Sequence, residues 1–217
     1  MESGQDIKKI SMNKEQIKKL INKDNPTIFE IGCADGKDTL DFINTFNDLN
    51  IYCFEPEPKN IEIIKSTILY KGHHLFEGVI SDITGKLSFN RSRTDNPNDL
   101  SYSGSIKSPK DHLNEWPFIK FDQTIQVESI TLDDFCDKNN ITIIDFIWAD
   151  VQGAEENMII GGKKTFDNKV RYLYTEYSNK EYYEGQINLD KILSLLGQNW
   201  SLVQDFGSDV LLKNNRL

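Results

Sequence analysis

The chain has 217 residues, 38% apolar and 11% aromatic, which suits one globular domain with a substantial core and is cramped for two. Its 34 acidic against 25 basic residues give a formal net charge of -9 with no Lys/Arg stripe, which disfavours nucleic acid or an anionic membrane surface as a partner. Cys33, Cys53 and Cys136 lack CxxC or Cys/His spacing, no stretch reaches membrane-span length and no signal-peptide core precedes residue 20; the expectation is a cytoplasmic protein without disulfides or a metal site.

Residues 1–25 read as an N-terminal helical extension in which Ile17, Leu20 and Ile21 recur at helical spacing before Pro26 ends the pattern. Residues 27–31 follow as a buried strand, running into the turn Gly32-Cys33-Ala34-Asp35-Gly36 and a helix with Leu40, Ile43 and Phe46 on one face. Residues 51–54 make a second strand, and the stiff turn Glu55-Pro56-Glu57-Pro58 leads into a helix carrying Ile61, Ile64 and Ile68. Residues 74–80 read as a third strand, which Thr84-Gly85 turns back into 86–90 as a hairpin.

From 91 to 123 the pattern dissolves into Ser, Asn, Asp, Pro and Gly. A stretch of this length inside a compact domain is expected to serve as a lid or acceptor loop, with Ser103 and Ser105 as acceptor contacts; a solvated excursion is the plain alternative. Regular structure resumes with a strand at 124–129, a helix at 132–138 and the most apolar strand, 141–149, which is expected to be central. Asp150-Val151-Gln152-Gly153-Ala154-Glu155 leads into another helix, and strands at 170–177, 200–204 and 210–213 close the chain. Such alternation predicts a Rossmann-like α/β fold, a mostly parallel sheet with helices on both faces that ends in an antiparallel hairpin.

The turn after the first strand carries the most chemistry. Gly32 and Gly36 let a ligand approach the backbone there, yet their spacing departs from the GxGxxG that a dinucleotide pyrophosphate favours. Carboxylates at Glu30 and Asp35 repel phosphate and suit the ammonium and sulfonium charges of S-adenosylmethionine. Glu55 ends the second strand nineteen residues beyond Gly36, where Rossmann-type sites place the acceptor for ribose hydroxyls. Asp150 and Glu176 follow strands at the carboxyl edge of the sheet and are the candidates to take a proton from an acceptor hydroxyl, Asp150 having the alternative role of a helix N-cap. His112 is a further base that a closing loop would deliver. Trp148 offers a stacking face to a sugar ring or else is a core indole.

Over residues 27–177 the chain resembles the FkbM-type methyltransferases. The resemblance rests on Glu30-Ile31-Gly32-Cys33-Ala34-Asp35-Gly36, Phe54-Glu55-Pro56, Ile80-Ser81-Asp82 leading into Gly85-Lys86-Leu87-Ser88-Phe89, the Ser-Gly-Ser at 103–105, Ile130-Thr131-Leu132-Asp133, and Ile144-Asp145-Phe146 running to Asp150-Val151-Gln152-Gly153-Ala154-Glu155. It implies one class I methyltransferase domain over 1–217 with a seven-stranded sheet, and an enzyme that uses S-adenosylmethionine to methylate a hydroxyl of a sugar, glycan or other small metabolite. It further implies that Glu30, Gly32, Cys33, Ala34, Asp35 and Gly36, with Thr39 in the next helix, hold the methionine end, that Glu55 and Pro56 bind the ribose, that Ser81 and Asp82 lie near adenine, and that Asp150 borders the cofactor. The family pattern after the central strand reads Lys-x-Asp-x-Glu-Gly-Ala-Glu, whereas here Trp148 replaces the Lys and Gln152 the first Glu, which assigns both to the acceptor side and leaves two alternatives open: a cofactor-binding module without turnover, and a nicotinamide-dependent oxidoreductase.

Overall fold

The alternation of strands and helices is realised in a computed structural model that describes residues 11–67, 73–96 and 98–217; Ile68, expected on the third helix, lies outside them. In chain order the strands are β1 (Thr27–Ile31), β2 (Asn50–Phe54), β3 (His74–Phe76), β4 (Gly78–Ile80), β5 (Gly85–Arg93), β6 (Lys120–Ile130), β7 (Phe146–Ala149), β8 (Tyr172–Glu176), β9 (Trp200–Asp205) and β10 (Asp209–Asn214). The helices are α1 (Lys14–Ile21), α2 (Lys37–Thr45), α3 (Pro58–Thr67), α4 (His112–Glu115), α5 (Leu132–Lys138), α6 (Glu155–Gly161), α7 (Lys163–Asn168) and α8 (Leu189–Leu196). No described helix is long and apolar enough to cross a membrane.

Seven strands form one sheet in the order β3-β2-β1-β7-β8-β10-β9, parallel from β3 to β8, with β10 antiparallel to both β8 and β9. Side chains of successive strand residues point to opposite faces. In β1, Phe29 and Ile31 therefore enter one core with Phe54, Leu132, Phe135 and Ile147, while Ile28 enters a second core with Ile51, Phe42, Phe146 and Leu211. Both faces are covered, as a parallel sheet requires.

The third predicted strand is broken at Glu77, and its second half leaves the main sheet. Gly78 has no Cβ to strike the Glu128 carbonyl or the Phe76 ring, which lets β4 lie close against β6. The hairpin expected from Thr84-Gly85 does not pair back on 74–80: β5 pairs antiparallel with β6, which inserts between β4 and β5 in a separate three-stranded sheet. The irregular 91–123 stretch is correspondingly shorter than expected, because β5 runs to Arg93, β6 starts at Lys120 and α4 occupies its middle.

The strand predicted at 141–149 narrows to β7, with Ile144 making a single bridge to Val170. Between them sits Asp145, fully buried, whose carboxylate accepts from the Lys23 ammonium at 2.7 Å, the Thr27 amide at 2.9 Å and the Arg171 guanidinium at 3.2 Å. One charge thus ties the entry to β1, β7 and the segment before β8. Removing it leaves two cations and a backbone N–H facing a void, so Asp145→Ala is expected to lower the unfolding free energy by about 3 kcal/mol or more, measured by urea denaturation; a loss below about 1 kcal/mol contradicts this account.

Candidate functional site

At the carboxyl edge of the sheet two cavities meet. The first, of about 720 Å³, lies over the ends of β1, β2 and β7 and is roofed by β4, β5 and residues 101–106. The second, of about 1530 Å³ and open to solvent, is bounded by residues at and after the ends of β7 and β8, by the turn between β9 and β10, and by part of the 91–123 insertion. Tyr102, Asp150 and Gln152 line both.

The geometry begins at Gly32. Its φ of +85° belongs to the left-handed region, and a Cβ there would strike the carbonyl oxygen of Asp150, so the turn after β1 packs directly on the end of β7. Gly32 and Cys33 donate their amides to the Phe54 carbonyl, and Ala34, itself left-handed at φ +47°, donates to Glu55 at 2.8 Å. Glu55 also accepts from the Glu57 amide at 2.9 Å and from Asn60 at 3.3 Å. Burial pushes its pKa up to about 7, against the lowering pull of those hydrogen bonds. Asn60 lines the same cavity, and its Oδ1 is buried without a partner, an acceptor turned away from water with nothing to accept.

Of the residues expected at the cofactor, Gly32, Ala34, Glu55, Pro56 and Asp150 line this cavity. Glu30 does not: strand alternation turns it to the opposite face, where it is 1% exposed, takes a hydrogen bond from Thr39 and has its pKa raised well above the usual range by burial and by Cys53. Cys33 is buried in the core on that same face. Gly36, at φ +77°, is the N-cap of α2, and Asp35 accepts from Tyr102 at 3.1 Å and pairs with Lys37. Ser81 and Asp82 bond to each other and, through Asp82, to Asn157; the three residues before them, Gly78 to Ile80, line the cavity instead.

On the acceptor side Asp150 and Glu176 both line the second cavity, with Ser103 and Gln152. Ser105 is buried in the wall of the first, donating to the Gln152 carbonyl at 2.7 Å. Trp148 lies on the far face of the sheet, stacked on Tyr174 at 4.3 Å with the Lys14 ammonium 3.3 Å above its ring, so the stacking surface expected for an acceptor is used by the core. Three residues to which the sequence assigned no role belong here. Asn60 and Phe89 line the first cavity, and Tyr183, 2% exposed, donates to Gln152 at 2.8 Å in the second. His112 is caged by Trp116, Phe121 and Tyr183 with an unpartnered Nδ1, and burial lowers its pKa, so it lines the second cavity as a neutral imidazole.

Comparison with known proteins agrees with this architecture. Residues 30–208 match the family model described as the methyltransferase FkbM domain. Over 208 residues the chain is 42% identical to the 2-O-methyltransferase NoeI of Sinorhizobium fredii (strain NBRC 101917 / NGR234), covering 93% of this chain and 85% of that protein. Among solved structures it resembles the METTL16 methyltransferase domain in fold, with a TM-score of 0.50 at 10% identity, covering 93% of this chain and 66% of the other.

The buried carboxyls set a pH dependence. Glu155, at the start of α6, is raised like Glu55 to about 7, by burial first and by Glu176 among the charges. A carboxyl whose pKa is higher in the folded than in the unfolded chain keeps a proton that unfolding releases, so the stability these two groups contribute is full below about pH 4.5 and is lost as pH rises to about 7. Glu155→Gln in the cofactor-free protein is expected to flatten that fall by up to about 3 kcal/mol, read from urea midpoints at pH 5 and 8; an unchanged slope contradicts the assignment.

Proposed function

This chain belongs to the FkbM methyltransferase family and is an S-adenosylmethionine-dependent methyltransferase; from that premise we propose that it methylates a hydroxyl group of a sugar or other small metabolite. The observation that carries the proposal is the wall of Asp150, Gln152 and Tyr102 common to the two cavities, which sets a cofactor chamber against an acceptor chamber with a carboxylate between them.

The first cavity fits the cofactor. Among the described residues its lining includes Glu55, Glu57 and Asp150 but no Lys or Arg, a set of groups that suits a sulfonium and argues against the pyrophosphate of a nicotinamide dinucleotide. Glu55 and Asn60 would hold the ribose, the Gly32 to Ala34 turn the methionine end, and Ile80 with Phe89 the apolar flank of the base. When bound, S-adenosylmethionine supplies a methyl group on a sulfur that leaves as a neutral thioether.

The chain's own contribution is placement and a proton acceptor. Alignment of the acceptor oxygen with the methyl carbon removes most of the entropic barrier. Asp150 takes the hydroxyl proton as the oxygen–carbon bond forms, and Glu176, in the acceptor cavity alone, accepts from a second hydroxyl. Trp116 and Tyr182 line the same cavity as these carboxylates, a mixture of aromatic and acceptor groups that suits a saccharide. The acidic chain and its three buried free cysteines accord with a small acceptor and a cytoplasmic setting. We take residues 1–217 as one methyltransferase domain, the 91–123 insertion forming the acceptor wall.

Calorimetry is expected to give micromolar binding of S-adenosylmethionine and S-adenosylhomocysteine, no binding of NAD, and at least about tenfold weaker binding for Glu55→Ala. In a hydroxyl-acceptor screen at saturating cofactor, Asp150→Asn is expected to lower kcat by about 100-fold or more. Methyl transfer confined to amines, or full activity of Asp150→Asn, contradicts the proposal.

A further inference from the structure

Gln152 stands in a backbone conformation that a non-glycine residue adopts only when held. Its φ is +49°, and Gly153 follows at +86°, making two successive left-handed residues where β7 turns toward α6. Three hydrogen bonds hold it. Its carbonyl accepts from Ser105 at 2.7 Å, its Oε1 accepts from the Tyr183 hydroxyl at 2.8 Å, and its Nε2 donates to Asp150 Oδ1 at 2.6 Å. Tyr183 packs so closely on the turn that any side chain at 153 would strike its ring, and its oxygen also lies 2.9 Å from the Ser103 carbonyl.

The orientation of the amide follows from charge. An ionised carboxylate only accepts, so the NH₂ end must face Asp150 and the oxygen must face Tyr183. Tyr183 meets that oxygen as a donor: burial and the nearby Asp150 charge raise its pKa well above the ordinary value, so it keeps its proton. The amide oxygen and one amide hydrogen are therefore committed within the protein.

We propose that Gln152 is a positioning residue for Asp150 and not an acceptor contact: a relay from the Tyr183 hydroxyl through the Gln152 amide fixes the carboxylate and keeps it charged. A hydrogen bond donated to a carboxylate favours its ionised form. A carboxyl at 152 would lack that donor and place a like charge at the same short distance, so the pair would share one proton. The relay rests on the reading of Asp150 as the base. Other titratable groups that face this wall are Tyr102 and Lys107 of the insertion, His112 of α4, Glu155 of α6, Glu176 of β8, and Glu55 after β2.

The test uses Gln152→Glu, Gln152→Met and wild type, with two readouts. In the first, the Asp150 carboxyl is titrated by carbon-13 NMR in cofactor-free protein and assigned with Asp150→Asn; Gln152→Glu is expected to raise its midpoint by at least about one pH unit. In the second, the acid limb of kcat against pH is expected to move up with it, and Gln152→Met to lower kcat by about 10- to 100-fold with acceptor KM held within about threefold. An unmoved midpoint in Gln152→Glu, or a raised KM at constant kcat in Gln152→Met, overturns the proposal. The two readouts also separate the relay from the reaction. A midpoint that moves in a protein methylating no hydroxyl supports the relay and sinks the reading of the reaction, whereas hydroxyl methylation with an unmoved midpoint sinks the relay alone.

Discussion

The site depends on one steric constraint, the seating of Gly32 against the carbonyl of Asp150. Parallel pairing carries β1 and β7 to the same edge, and the Asp150 amide bonds to Ile31 as the last rung between them. Without a Cβ at 32 the two exits close to backbone contact. Each chain then turns sharply away through a strained residue, Ala34 on one side and Gln152 on the other. That divergence opens a chamber on either side of a thin partition, and the partition carries the carboxylate. A larger residue at 32 would separate the exits, and with them the two chambers.

The elements legible in the sequence are those whose burial is strong and local. The helix at 132–138 starts and ends where its pattern does, because Thr131 caps it and Asn139 follows it. The strands at 27–31 and 200–213 are equally plain. The small sheet was illegible for a physical reason: β6 is exposed at alternate and adjacent positions, and its close pairing with β4 needs the missing Cβ at Gly78, which no periodicity encodes. The candidate site divides in the same way. Glu55 and Asp150 stand at strand ends, where direction matters little, whereas Glu30 and Trp148 stand within strands, where one step decides the face. Asn60 and Tyr183 carry no local pattern, since they reach the site through the third dimension.

The departure at 148 has a structural counterpart. An indole in the central strand leaves no cation of its own on that face, yet α1 supplies one. The Lys14 side chain is nearly enclosed, its ammonium lying over the Trp148 ring and 2.7 Å from Asp38. Its charge also acts on buried Glu30, lowering a pKa that burial raises. The cation–π contact is of the desolvated kind, the stronger class of that interaction. The N-terminal helix, whose Asn13 and Gln16 form a reciprocal cap, is thus part of the electrostatics beneath the sheet as well as of its cover.

The insertion is fastened along its length by backbone and side-chain hydrogen bonds. Asn90 and Ser105 exchange backbone hydrogen bonds, Ser105 reaches Gln152, and the amides of Lys110 and His112 converge on the Tyr182 carbonyl. Between and beyond these anchors the side chains at 106–109 and 113–119 are free of the cofactor chamber, apart from Ile106 at its edge. Sequence drift in those stretches can therefore remodel what the second chamber admits while leaving the first intact. Under the proposed assignment of the two chambers, the architecture separates inheritance of the methyl donor from inheritance of the acceptor, so lineages descended from one such enzyme can change substrate without passing through a form that has lost its cofactor.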